Sequence, residues 1–355
     1  MRMLTLTSSL ALLRAGLVAG IAVAAAACSS PTQPSGPPAD MTCPTPQTVQ
    51  SPLSTPISVT FPLPTVENSA ANSSVTCSPA SGSTFPLGTT SVNCQYAVGG
   101  ATTLSCSFNV TVEAPPRMAF TQFVAFGDSI TEGKVSEPVA LSGSLTQWLG
   151  LMEPETRFAI LESRLTASFE TYPQRLQRLL GLQYQKQTFS VVNAGLGGEF
   201  AAGDPPSGIL RLPGVLQTFN PEVLLLMEGT NDLLSPSGVN SALSALDAMI
   251  GIAQAQGRQV CLATIPPQRP DGLRNRGSVA ARIPGFNDGI RALAASRGAV
   301  LVDVYDAMKD DVRNLIGIDD LHPTELGYSV IGDTFYNAVH TAFEQRGGGS
   351  SQPTQ

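Results

Sequence analysis

Three kinds of hydrophobic patterning follow one another along the chain. The first is an apolar, Ala-rich run near the N-terminus, accompanied by Arg2 and Arg14 and ending in Ala25-Ala26-Ala27-Cys28-Ser29. The second fills residues 43–113, where short runs rich in Val, Thr, Ser and Phe (ISVTF, SSVTCSP, TSVNCQYA, LSCSFNVTV) alternate with Gly, Pro and Asn. Period-2 alternation broken by frequent turn residues predicts a small β-sandwich. The third begins at Met118. Near-continuous apolar runs at Gln122–Phe126, Phe189–Asn193, Val223–Met227, Gln259–Thr264 and Ala299–Asp303 predict strands. Between and after them lie stripes at 3/4 spacing: Tyr172, Leu176, Leu179; Leu243, Leu246, Met249, Ala253; Ile283, Phe286, Ile290, Leu293; and Ile331, Phe335, Val339. Strands apolar on both faces, alternating with helices, predict an α/β fold with a parallel sheet covered on both sides. In such sheets chemistry collects at the carboxyl ends of the strands.

The segments between these patterns set the expected domain limits. A basic start, an apolar core and small residues before a cut site predict a secretory signal over residues 1–27. The cysteine directly after the small residues resembles a bacterial lipobox, which implies lipidation of Cys28. Residues 28–42 are rich in Pro, Ser and Gly, cannot bury enough surface to offset their ordering entropy, and read as a flexible tether. Glu113-Ala114-Pro115-Pro116-Arg117 reads as a stiff boundary, because proline interrupts both helix and sheet. The α/β domain is then expected at 119–346, with a disordered Gly/Ser/Gln-rich tail at 347–355. No later stretch reaches the roughly 18 apolar residues needed to span a bilayer. The expected location is the bacterial cell envelope, in the periplasm or at the surface, with the membrane reached only through the lipid on Cys28.

Composition changes little in this picture, and charge narrows it. The 355 residues suffice for one large and one small domain, and 42% hydrophobic against 13% charged residues points to globular folding. The net charge is −7 with no long basic run, so nucleic acid is not an expected partner. Four of the six cysteines, Cys43, Cys77, Cys94 and Cys106, fall in the β region, and an even count in a small exported domain suggests two disulfides. Four cysteines allow three pairings. Cys43 with Cys106 and Cys77 with Cys94 would tie the first strand to the last and close an inner loop. The string from Cys77 to Val112 resembles the hyalin-repeat module, an immunoglobulin-like domain, which implies a spacer or adhesion role. Cys261 lies in an apolar strand and reads as a buried, inert thiol.

Histidine is the scarce resource, with only His322 and His340 in the chain. His340 falls on the last amphipathic helix and reads as a surface position. His322 sits in Asp319-Asp320-Leu321-His322-Pro323, where an acid three residues earlier can hold the ring tautomer while a hydroxyl is deprotonated. A second candidate is Gly127-Asp128-Ser129-Ile130, at the end of the first strand. There a helix would begin at Ser129, with Asp128 or Ser129 as its cap. The second strand ends in the Gly-rich loop Asn193-Ala194-Gly195-Leu196-Gly197-Gly198, able to offer an N–H to an oxyanion. The third strand ends in Glu228-Gly229-Thr230-Asn231-Asp232, where the Asn231 amide can do the same. No zinc spacing, phosphate loop or dinucleotide fingerprint occurs, so neither metal nor cofactor is expected. Gly-x-Ser-x-Gly is absent as well.

Together, in this order and each after a strand, these four blocks resemble the GDSL-type, or SGNH, hydrolases over residues 119–343. That resemblance implies a three-layer α/β/α, flavodoxin-like domain. It makes Ser129 the nucleophile, His322 the base and Asp319 its orienting carboxylate. Gly198, Asn231 and the Ser129 N–H become oxyanion donors, with Gly195 and Asp320 as weaker alternatives to Gly198 and Asp319. The expected substrate is a small or lipid ester of short to medium acyl chain. A carbohydrate acetyl esterase and a non-catalytic adhesion protein remain alternatives. The insertion at residues 134–171, which carries Trp148, Leu145, Leu149, Leu151 and Met152, is either an apolar lid or acyl pocket, or simply packing over the sheet. The loop 266–281, with Arg269, Arg274 and Arg276, either meets anionic groups or is a solvated basic face.

Overall fold

The computed structural model describes residues 37–270, 272–274 and 276–347. The expected signal segment, Cys28, most of the tether and residues 348–355 lie outside the described residues. The β region forms as its alternation requires. Ser73–Ser78, Gly88–Val98 and Ala101–Met118 make an antiparallel sheet, to which Gln47–Gln50 adds a parallel edge. Two short pairs, Asp40–Thr42 with Thr65–Glu67 and Ile57–Ser58 with Thr84–Phe85, accompany it. Every second side chain of Gly88–Val98 points inward, so Val92, Cys94 and Tyr96 are buried. Phe61 fills the centre of this small core, edge-on to Phe85 and Phe108. The two disulfides are Cys43–Cys106 and Cys77–Cys94, and the second joins residues directly opposite each other across a strand pair.

Two expected limits are corrected here. The tether was expected to run to residue 42, yet Asp40–Thr42 is a strand, because Met41 packs against the module's core. The proline boundary does not interrupt the sheet either. Ala101–Met118 runs through Pro115 and Pro116 as one strand and pairs antiparallel with Glu344–Gly347. The register of that pairing shifts between Gln345 and Gly347, opposite the prolines, where a missing N–H costs nothing. The chain's expected tail therefore begins with Gly347 in a strand. Arg117 Nε donates to the Gln345 side chain at 2.9 Å across the ribbon.

In the α/β part, five parallel strands are labelled β1 (Gln122–Gly127), β2 (Ser190–Gly195), β3 (Val223–Met227), β4 (Gln259–Ala263) and β5 (Val300–Val302). Their spatial order is β2-β1-β3-β4-β5, all parallel, the flavodoxin-like arrangement. The helices used below are α1 (Ser129–Glu132), α2 (Gly143–Leu149), α3 (Pro154–Ser163), α4 (Tyr172–Gln183), α5 (Gly208–Phe219), α6 (Gly238–Ala255), α7 (Ile283–Arg297) and α8 (Glu325–Phe343). Alternate residues of the strands serve opposite layers. Phe123, Ala125, Val223, Leu225 and Met227 pack with α4 and α8, whereas Val124, Phe126, Leu224 and Leu226 pack with α5, α6 and α7. The predicted stripes hold, with three shifts: Leu179, Leu243 and Leu293 are only partly buried, while Leu180, Ala242 and Ala294 beside them are buried.

Apart from Val135, the insertion packs beside the sheet and not over it. Lys134–Val135 pairs with Thr166–Ala167 to close its base. Between them α2 and α3 build a satellite core from Leu149, Leu161 and Ile318, with Leu145, Met152 and Leu273 against it. The insertion thus sits on the residue preceding Asp319 and on the 266–281 loop. Trp148, Leu151 and Phe158 face outward, from half to largely exposed.

Candidate active site

Gly127 ends β1 under a packing constraint that admits no side chain. A Cβ there would fall 2.1 Å from the Met227 carbonyl oxygen and 2.3 Å from Thr131 Oγ1. The chain turns at once into α1, and Asp128 caps it, its Oδ1 accepting the Ile130 N–H at 2.8 Å. The neighbouring residues divide two tasks that the sequence left open between them: Asp128 serves the backbone, and the Ser129 hydroxyl is left for His322. The helix is only four residues long, so charge stabilisation near Ser129 falls to individual N–H groups and not to a macrodipole. Tyr328 of α8 holds the far side, its hydroxyl 3.0 Å from the Ile130 carbonyl and 2.8 Å from that of Lys134.

Ser129 Oγ lies 2.9 Å from His322 Nε2, and His322 Nδ1 lies 2.6 Å from Asp319 Oδ2. The carboxylate can only accept, so Nδ1 carries the proton and Nε2 is left to accept from the serine hydroxyl. Asp319 Oδ1 takes the backbone N–H groups of His322 and Leu321, and Ser136 Oγ accepts the Asp319 N–H. Burial works to raise the Asp319 carboxyl. The hydrogen bond and charge of His322, with Arg274 nearby, overcome it and hold the group at about 2. Hydroxyl, imidazole and carboxylate in series can move a proton off the hydroxyl and store the resulting ring charge.

The loops after β2 and β3 flank this line, because those strands are the two neighbours of β1. Asn231 Nδ2 donates one hydrogen to the Glu199 carbonyl at 2.7 Å, which leaves its second N–H available. Asp232 accepts the N–H groups of Ala201 and Ala202, pinning the chain just beyond Gly198. Gly198 itself is exposed, with φ +77°. The alternative glycine is ruled out: the Gly195 N–H is taken by Asn193 Oδ1 at 2.9 Å, and Gly195 packs directly on the α1 backbone. Asp320 also leaves the line. Its side chain accepts the Arg274 N–H at 2.6 Å and pairs with Arg269 at 3.4 Å, in a residue held at φ +67°. His340 bonds to the Tyr184 hydroxyl at 2.6 Å and stacks on Tyr336, away from Ser129. Among the described residues no cluster of His, Cys, Asp or Glu is arranged to hold a metal ion, and no helix is long and apolar enough to cross a membrane. Cys261 is a free, fully buried thiol that burial pushes upward.

Sequence reasoning missed two groups around this site, Arg211 and Glu228, and left the role of a third, Arg274, open. Arg211 of α5 spans the floor, with two nitrogens on the Glu199 carboxylate, one on the Ala194 carbonyl, and its cation over Phe126 at 4.1 Å. Arg274 is buried between α3 and Asp319 and is not part of a solvated basic face. Glu228 is fully buried beside Asp128, with Oε2 unpartnered. Of the two missed groups, only Glu228, an acid closing an apolar strand, carried a local signal.

Burial raises Glu228 well above the usual carboxylate range, and the charges of Asp128, Glu199 and Asp232 add to the effect. A carboxyl raised by folding binds its proton more tightly when folded. Its contribution to stability is therefore fully present below the ordinary value and is lost as pH rises towards the raised one. Glu228→Gln is expected to raise the melting temperature at pH 8 and to give a smaller gain at pH 5. Equal or lower melting temperatures at pH 8 would contradict a neutral, buried Glu228.

Residues 35–112 match the HYR domain model, starting within the expected tether. Among solved structures, a lipase/acylhydrolase from Enterococcus faecalis is 20% identical, with 66% of this chain and 99% of that one covered at a TM-score of 0.46. The native aryl esterase of M. smegmatis is 18% identical, with 62% and 99% covered at 0.47. A carbohydrate acetylesterase from Sinorhizobium meliloti is 18% identical, with 63% and 100% covered at 0.47. No curated protein matches. The model of the GDSL-like lipase/acylhydrolase family matches residues 125–330. That stretch is more than half of the chain and reaches from the strand before Ser129 past His322, and the protein belongs to that family.

Proposed function

We propose that this protein is an exported serine ester hydrolase that cleaves carboxylic esters through an acyl-enzyme on Ser129. The observation that carries the reading is the unbroken line from Ser129 Oγ through His322 to Asp319, at 2.9 and 2.6 Å. Ser129 Oγ attacks the ester carbonyl while His322 Nε2 takes its proton. The same imidazole returns that proton to the departing alcohol. Water, deprotonated by His322, then releases the acid and restores Ser129. The Ser129 and Gly198 N–H groups and the second Asn231 amide hydrogen stabilise the oxyanion.

Export is supported by the N-terminal pattern and by two disulfides, which persist in oxidising compartments. Lipidation at Cys28 would place the enzyme on the bacterial cell envelope. An apolar acyl group is favoured by the outward Trp148, Leu151 and Phe158 of the insertion and by the exposed Leu196 and Phe200 beside Gly198. The test joins labelling to turnover. A fluorophosphonate should modify Ser129 alone, and nitrophenyl esters should be cleaved faster as the acyl chain grows from acetyl to octanoyl. A maximum at acetyl, with deacetylation of xylan, would favour the carbohydrate esterase suggested by the module in front. No labelling at Ser129 would remove the catalytic reading.

A further inference from the structure

Arg269 and residues 272–274 are strapped to the turn that carries Asp319. Asp320 accepts the Arg274 N–H at 2.6 Å, its own carbonyl accepts the Arg269 N–H at 3.1 Å, and its Oδ1 pairs with Arg269 Nη1 at 3.4 Å. Gly272 lies so close that a Cβ would fall 1.6 Å from Asp320 Oδ1. From the other side, Arg157 of α3 donates to the Leu273 carbonyl at 2.9 Å. The loop is therefore clamped between the insertion and the residue after Asp319.

Arg274 sits at the centre of this clamp. Its side chain is 5% exposed, its cation lies over the Phe158 ring at 4.5 Å, and its Nη2 binds Glu162 of α3. The same Nη2 is 3.8 Å from Asp319 Oδ2. That oxygen is the one that accepts the His322 Nδ1 proton. At this distance the guanidinium draws on the carboxylate without displacing the ring from it. A buried cation is costly unless paired, and here one partner lies on the insertion and the other in the Ser129–His322–Asp319 line.

We infer that Arg274 is a positioning residue, coupling insertion helix α3 through Asp319 to the orientation and charge of His322. The inference rests on the Ser129 reading above. Asp128, Tyr328, Asp320, Arg269, Arg276 and Glu162 are the other charged or titratable groups around the pair, and all of them remain when Arg274 is replaced. A cation beside Asp319 opposes build-up of positive charge on the ring. Its removal moves the acid limb of the kcat/KM profile to higher pH, whereas removal of Glu162, which offsets that cation, moves it to lower pH.

The experiment measures kcat, KM and pH profiles of the full chain on nitrophenyl butyrate for Arg274→Gln, Arg274→Lys and Glu162→Gln, with Ser129→Ala alongside. For Arg274→Gln, kcat is expected to fall about tenfold, less than the roughly 10²-fold cost of an ångström of misplacement. KM should stay within about twofold. The acid limb should move to higher pH, by less than the roughly 1–3 units that a charge in direct contact exerts. Arg274→Lys should restore the limb and part of kcat, and Glu162→Gln should shift the limb the opposite way. If Arg274→Gln fails to fold, the opposite shift in Glu162→Gln and the retained limb in Arg274→Lys decide. Wild-type kcat and an unmoved limb in the folded variants overturn the inference while Ser129→Ala is inactive. Activity surviving in Ser129→Ala instead overturns the Ser129 reading, and the inference with it.

Discussion

Ser129→Ala is expected to lower kcat for nitrophenyl acetate by on the order of 10⁶, the loss seen when the nucleophile of such a unit is removed. The remaining activity should still exceed that of water, because Gly198, Asn231 and substrate binding are untouched. Folding should be unaffected. Ser129 is only partly buried, and its side chain makes one hydrogen bond, to His322. The cap of α1 belongs to Asp128, so the local turn does not depend on the serine hydroxyl. Surface-like substitutions of this kind usually change stability by under about 0.5 kcal/mol. The measurement is paired: burst and steady-state hydrolysis, with thermal melting as control. Residual activity above a tenth of wild type in a normally melting variant would show that Ser129 is not the nucleophile.

That the site is legible in the sequence has a physical origin. Parallel strands buried on both faces must be written as apolar runs, so β1 and β3 were found nearly to the residue. Residues that follow such strands land on one rim, which brings Gly127, Gly195 and Gly229 to the same edge of the sheet. What escaped notice depends on partners far along the chain. Nothing near Arg274 announces Glu162 or Asp319, which lie 112 and 45 positions away, so a basic loop looked solvated. Pro115 and Pro116 looked like a break because a ladder normally needs their N–H groups. A register shift in the partnering Glu344–Gly347 strand removed that need. The spacing to His322 favours Asp319 over Asp320, and the left-handed backbone at Asp320 sends the two carboxylates to different neighbours.

The junction between the module and the α/β domain reads in sequence as a stiff, proline-marked boundary that interrupts the sheet. The observed strand, shared between the module and the segment before β1 and paired to the residues after α8, ties both ends of the α/β domain to one ribbon. The Ala119 N–H bonds to the Phe343 carbonyl, and Phe120 meets Phe343 edge-on at 5.1 Å, which carries the ribbon into the core beneath β1. The segment leading out of the module, Ala114–Phe120, is therefore joined to the end of the α/β domain by hydrogen bonds and packing as well as by the covalent chain.

Asn231→Ala should cost about 10²–10³ in kcat with little change in KM, because an oxyanion donor acts in the transition state and hardly at all in the ground state. The structure adds a second effect. The same amide donates to the Glu199 carbonyl, one residue past Gly198, so alanine also frees that carbonyl from the β3 loop. Two donors are then disturbed by one change, which places the expected loss at the upper end of the range. Asn231→Asp separates the two effects. It keeps the size of the side chain, loses both N–H groups, and sets a carboxylate against the Glu199 carbonyl and the developing oxyanion, so it should be slower than alanine. Asp232 still pins Ala201 and Ala202 in both variants, so the fold should persist and the melting temperature should fall only slightly. If Asn231→Ala turns over within threefold of wild type, Asn231 serves only to hold the Glu199 loop, and the oxyanion must be met by the Ser129 and Gly198 N–H groups alone.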